Sequence, residues 1–140
     1  AGDYFAVVAN SAGRATSAVA TLTVLVPPFL TTQPQSLTVT QGQSAALAVT
    51  AGGAGPLAFR WRFNGAILSG ETNASLSLNN VSPAQAGNYS VVITNIAGSI
   101  TSAVATLTVL VPPSITAQPQ SLSVVAGSGA SLAVTTTGRR

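Results

Sequence analysis

Apolar residues fall on alternate positions through most of the middle of this 140-residue chain. In Leu57-Ala58-Phe59-Arg60-Trp61-Arg62-Phe63 the large apolar side chains point one way and both arginines the other. Leu76 and Leu78 alternate with Ser75, Ser77 and Asn79; Tyr89, Val91 and Ile93 alternate with Ser90, Val92 and Thr94; Ala105, Leu107 and Val109 alternate with Thr106 and Thr108. A period of two marks half-buried strands, because successive side chains leave a strand on opposite faces. Turn formers separate the runs: Gly52-Gly53 and Gly55-Pro56 before the Trp61 strand, Asn64-Gly65 after it, then Ser82-Pro83 and Ala97-Gly98. Asn-Gly is a strong hairpin signal, since both central residues of the tightest hairpin turn need positive φ. No window carries an amphipathic helix of useful length. About seven short strands, each with one apolar face, can bury those faces only as two packed sheets, so the pattern predicts an all-β sandwich.

The pattern also repeats. Ala1 to Thr50 aligns without gaps on Ala86 to Thr135 at an offset of 85, with about two thirds of positions identical, and Thr16–Pro28 recurs unchanged as Thr101–Pro113. Self-similarity of this kind signals an array of structural units. It predicts that 1–26 is the C-terminal part of one repeat (strands F and G), 27–111 a complete repeat, and 112–140 the N-terminal part of the next (strands A and B). Pro27-Pro28 and Pro112-Pro113 are expected to act as stiff junctions, because consecutive prolines hold an extended backbone. The chain starts with strand-like sequence, without Met or a signal peptide, and this points to a fragment of a longer protein.

Val81-Ser82-Pro83-Ala84-Gln85-Ala86-Gly87-Asn88-Tyr89-Ser90-Val91 resembles the approach to strand F in the immunoglobulin superfamily, usually written D-x-G-x-Y-x-C. Gly42 to Val49 resembles the opening of strand B, and Trp61 takes the place of the strand C tryptophan. The set is similar to I-set-like immunoglobulin repeats of large bacterial surface and secreted proteins. The resemblance implies tandem immunoglobulin-like sandwiches, with Trp61 in the core and a tyrosine corner at Tyr89 and its equivalent Tyr4. Two departures stand out: Val49 and Val91 occupy the places of the paired cysteines, and Gln85 replaces the usual Asp. Burial of Phe59, Trp61, Phe63, Leu76, Leu78 and Tyr89 is expected to offset the absent disulfide, which is commonly worth about 2–5 kcal/mol.

Composition narrows the function. Only 5% of residues are charged, and Lys, His, Cys and Met are absent. Without His or Cys no familiar triad or zinc arrangement can be assembled, and the two carboxylates, Asp3 and Glu71, fall in different repeats. The reading is therefore non-enzymatic, with no cofactor and no metal. The net charge of +3 comes from arginines scattered as Arg14, Arg60, Arg62, Arg139 and Arg140, so the clustered footprint of a nucleic-acid binder is missing. Mean hydropathy is +0.49, yet no stretch approaches the ~20 consecutive apolar residues of a spanning helix.

What remains is a structural or adhesive spacer of an extracellular or cell-surface protein, its partners being the neighbouring repeats of the same chain. A second reading makes it a ligand-binding module. Arg60 and Arg62 point outward from strand C, on the sheet that also holds F and G, and could grip carboxylates or sulfates of a protein or glycan. Against that stands a role in guarding the surface from edge-to-edge aggregation. The alternation predicts that neither arginine lies beside an exposed aromatic or a groove. Asn73, Asn80 and Asn88 each open an N-x-[ST] triplet, of which only Asn73 falls in a predicted loop. The two partial repeats would expose apolar faces and strand edges, from which head-to-tail self-association through the incomplete ends follows as an expectation.

Overall fold

The computed structural model describes residues 1–139; Arg140, the last residue of the predicted 112–140 segment, lies outside them. The strands in chain order are β1 (Gly2–Tyr4), β2 (Val7–Asn10), β3 (Gly13–Thr16), β4 (Ala20–Leu22), β5 (Phe29–Thr32), β6 (Leu37–Thr40), β7 (Ala45–Ala48), β8 (Thr50–Gly52), β9 (Ala58–Phe63), β10 (Ala66–Ile67), β11 (Ser75–Leu78), β12 (Gly87–Asn95), β13 (Gly98–Thr101), β14 (Ala105–Ala117) and β15 (Thr135–Arg139). A single 3-10 turn, Pro83–Gln85, occupies the Ser82-Pro83 break among the described residues.

Two layers enclose one core. In the first, β10, β9, β12 and β14 lie side by side, β13 also pairs with β12, and β6 joins β14 in parallel. The second is built from β7 with β11 and β8 with β5. Trp61, Leu47, Leu76, Ile93, Leu107, Val81 and Val91 are fully buried between them. All but Val81, which lies between β11 and the 3-10 turn, are inward positions of the period-two pattern, and each such large side chain contributes about 1.5–3 kcal/mol by leaving water. Phe59, Phe63 and Leu78 share that face but are only partly buried, because they lie toward the rim of the cluster. Phe63 still packs on Tyr89, with ring centroids 4.9 Å apart. The Asn64-Gly65 turn joins β9 to β10 with φ of 48° and 86°, as the hairpin signal requires.

Strand registers repeat with the sequence. β1 pairs with β4 as Gly2↔Leu22 and Tyr4↔Ala20, and β12 pairs with β14 as Gly87↔Leu107 and Tyr89↔Ala105, every number raised by 85. β5 pairs with β8 as Phe29↔Gly52 and Thr32↔Thr50, and β14 pairs with β15 as Ser114↔Thr137 and Ala117↔Thr135. Both pairs break register at the same place, between Leu30 and Thr32 and between Ile115 and Ala117.

Two differences from the sequence reading have physical causes. Pro112-Pro113 does not interrupt the strand: β14 runs through it, since an extended backbone suits proline, and the ladder to β15 shifts register between Val111 and Ser114, where the prolines have no N–H to give. Residues 122–125 and 130–133 match β6 and β7 in sequence but are not strands. β6 takes its ladder from β14 and β7 from β11, and no equivalent partner strand lies beside those residues among the described ones. Leu122, Val124, Leu132 and Val134 are exposed as a result.

Candidate functional site

Arg60 and Arg62 do leave the outer face of the sheet, paired across to Val92 and Ser90 of β12. Their surroundings differ. Arg62 is half-buried and its Nε is enclosed without a hydrogen-bond partner. Arg60 is exposed and lines a shallow hollow of about 270 Å³ with Ile67, Leu68, Ser69, Gly70, Glu71 and Thr72. The expectation that no groove adjoins these arginines is corrected for Arg60. β10 lasts only two residues, so the chain turns back over 68–72 and leaves a hollow beside β9. Alternation reports which face a side chain takes, and it is blind to where a loop returns. No aromatic residue lines the hollow.

Trp61 is a core residue, fully buried, and its indole Nε1–H donates to the Asn73 carbonyl at 2.9 Å. Tyr89 is equally enclosed, and its hydroxyl donates to the Gln85 carbonyl at 2.8 Å. The corner therefore closes with Gln85 in place of Asp. The Gln85 side chain holds the preceding turn, its Oε1 accepting from the Ser82 N–H at 2.9 Å. Burial pushes the Tyr89 phenol above the ordinary tyrosine value of 10.0. In the unfolded chain the phenol ionises near that value, so between it and the raised folded value only the unfolded state loses the proton. Stability is then intact below about pH 10 and falls as pH rises from there through the folded value. Denaturant titrations between pH 8 and pH 11 should show this loss, and Tyr89→Phe should remove its share of it while lowering stability at neutral pH by about 1 kcal/mol.

A third constellation was not legible from periodicity. At the end of the sandwich where residues 26–28 enter, the Asn95 side chain bridges three segments. Its Nδ2 donates to the carbonyls of Val26 and Ala54, both at 2.8 Å, while its Oδ1 accepts from the N–H groups of Ala97 and Gly98 at 2.9 and 3.1 Å. The Ala54 N–H donates to the same Val26 carbonyl at 2.9 Å. Pro28 is buried beneath this cluster. Gly53, at φ +137°, is required for the approach: a Cβ there would stand 2.9 Å from the Pro27 carbonyl oxygen and 3.0 Å from the Pro28 Cα. Elements of the arrangement recur at the same offset. Asn10 accepts from Ala12 and Gly13 at 2.8 and 3.1 Å, so its own loop sets the side chain, and Gly138 lies under Pro113 as Gly53 lies under Pro28. The available signal was identity between repeats where neighbours differ: Asn10 and Asn95 agree while Ser11 and Ile96 do not.

Comparison with known proteins bears on the fold. The Immunoglobulin domain family matches residues 27–95. Human Hemicentin-1 is 33% identical over 97% of this chain, which spans 2% of that protein. Among solved structures, a mutant form of the titin M10–obscurin-like 1 Ig complex has a TM-score of 0.60 at 28% identity, covering 65% of this chain and 100% of that one. Sidekick-1 immunoglobulin domains 1–5 give 0.59 at 25% identity, covering 77% of this chain and 25% of that one.

Proposed function

Since residues 27–95 match the Immunoglobulin domain family and the strands fold as an all-β immunoglobulin-like sandwich, we propose that the chain is a non-enzymatic spacer from a tandem array, in which successive repeats are held at a set angle. The observation that carries this reading is the Asn95 joint. It ties the segment between β4 and β5, through the Val26 carbonyl, to the loops holding Ala54 and Asn95–Gly98. On this reading 1–26 holds strands F and G of a preceding repeat, 27–111 is complete, and 112–140 opens a following one. The shared registers at an offset of 85 support that division. An I-set-like repeat of a bacterial extracellular or cell-surface protein is the parent we favour, on the strength of the absent cysteines and the neutral Ser/Thr-rich composition, although the relative named above is human. No helix of the described residues is long and apolar enough to cross a membrane.

Asn95→Ala tests the joint. It removes donors from two carbonyls and an acceptor from two N–H groups, and should cost the domain about 1–2 kcal/mol. In small-angle scattering on two joined repeats, the variant should broaden the distance distribution while circular dichroism stays that of a folded sandwich. An unchanged distribution would remove the joint as the basis of the spacer reading.

The binding-module reading draws on a separate observation, the exposed Arg60 guanidinium lining its hollow, with Arg62 two residues along the same strand. Guanidinium groups of this kind suit a carboxylate or sulfate on an extracellular protein or glycan. A screen against sulfated glycans and matrix proteins should give binding that Arg60→Ala/Arg62→Ala abolishes if this face is a recognition site. Silence across that screen leaves the spacer alone.

A further inference from the structure

The strand edges of the sandwich are protected unequally. β10 ends its side of the first sheet after two residues. On the other side β6 covers β14, and Gln33 and Ser36 accept from the Ala103 and Thr106 N–H groups at 2.8 and 2.9 Å. In the second layer β5 lies between Pro28 and Pro34 and carries a register shift. Short length, a covering strand, prolines and bulges are the devices that keep an edge from templating another chain. β11 has none of them. It reads Ser75-Leu76-Ser77-Leu78, without charge, proline or register shift, and pairs with β7 alone among the described residues. After β10 the chain stays beside β9, where the Leu68 N–H donates to the Trp61 carbonyl and the Trp61 N–H to the Glu71 carbonyl. It then reaches β11 without laying a strand against it.

The direction of the free groups follows from one bond. The Val49 N–H donates to the Ala74 carbonyl at 3.0 Å, so residue 74 turns its backbone groups toward the β7 side. By alternation along an antiparallel ladder, Leu76 and Leu78 do the same, and Ser75 and Ser77 turn their N–H and C=O outward. Leu76 is buried, and both serine side chains are exposed.

We propose that β11 is a self-association edge, pairing antiparallel with β11 of a second copy about a two-fold axis at Leu76. That register sets Ser75 opposite Ser77 of the second copy, so the outward backbone groups of one strand meet those of the other. Opposite residues share a face, so the leucines stay in the buried layer and the serines in the exposed one. A second copy fits better than an arbitrary extended segment because the strand is its own complement: the edge requires an apolar side chain opposite Leu76 and small polar ones opposite the serines, and Ser-Leu-Ser supplies both. No charge on β11 opposes the approach. The contact is isologous and closes at a dimer.

Sedimentation of the 140-residue chain over a concentration series, with hydrogen exchange at each concentration, tests the proposal. A reversible monomer–dimer equilibrium is expected, with the Ser75 and Ser77 amides gaining protection in step with the dimer fraction. Ser75→Lys/Ser77→Lys should raise the dissociation constant roughly tenfold or more, through like charges placed directly opposite, without moving the melting midpoint at concentrations where the parent chain is monomeric. Ser77→Pro, which removes an outward N–H that β7 does not use, should act in the same direction. A chain that stays monomeric at millimolar concentration overturns the proposal. So does a dimer that leaves those two amides unprotected and is indifferent to the lysines; that result would move association to the exposed apolar residues of 1–26 and 114–139. The exchange measurement needs no substitution and decides the matter even where a variant folds poorly.

Discussion

Trp61→Ala is expected to cost about 3–5 kcal/mol, the range for removing a large aromatic from a packed core. The side chain is fully buried, sits across from Val91 on β12, and donates its indole proton to the Asn73 carbonyl. Truncation therefore opens a cavity and strands a carbonyl together. For a domain of this size each kcal/mol moves the melting temperature by roughly 4–8 °C, so a fall of about 15–30 °C should follow. Trp61 is the single tryptophan of the chain, so the variant must be followed by circular dichroism. Trp61→Phe keeps most of the packing and loses the hydrogen bond, and should fall between the two. A midpoint within a few degrees of the parent chain would show that the core is organised around other side chains.

The second large effect runs the other way. Val49 and Val91 are both buried and stand where the immunoglobulin pattern places its paired cysteines. Val49→Cys/Val91→Cys should oxidise to a disulfide closing a loop of about 40 residues. By the loop-entropy argument that bond stabilises by about 2–4 kcal/mol. The reduced variant should be less stable than the parent, because a thiol fills less of the core than a valine side chain. Denaturation with and without reductant separates the two contributions. Failure to oxidise would mean that the backbones at these positions stand further apart than the roughly 7 Å limit for a disulfide.

Much of the fold was legible because its determinants are local. Phe59, Trp61 and Phe63 announce one face of β9 whatever lies beyond it, and Asn64-Gly65 announces the turn that follows. Tyr89, Val91 and Ile93 do the same for β12. The candidate site was less legible. Alternation puts Arg60 and Arg62 on one face of β9, yet the hollow beside Arg60 depends on the return of residues 68–72, which no period encodes. Asn95 lay outside every apolar run. Its importance rests on carbonyls 69 and 41 residues away in sequence, and only its recurrence as Asn10 hinted at it. Gly53 is one turn glycine among several in sequence, and the Pro27 carbonyl that requires it comes from a distant part of the chain.

By itself, the sequence determined which residues face inward, where the chain turns, and that its first 50 residues recur at an offset of 85. Side-chain chemistry and backbone freedom act over a few neighbouring positions, so these properties do not wait for distant contacts. The tertiary structure decided the rest. Leu37–Thr40 is a strand beside β14 and Leu47 lies in a strand beside β11, while Leu122 and Leu132, in closely matching sequence, lie in none. A strand exists only where another backbone supplies donors and acceptors for its own. The same rule leaves the backbone groups of Ser75 and Ser77 turned outward on β11, where no other strand lies among the described residues.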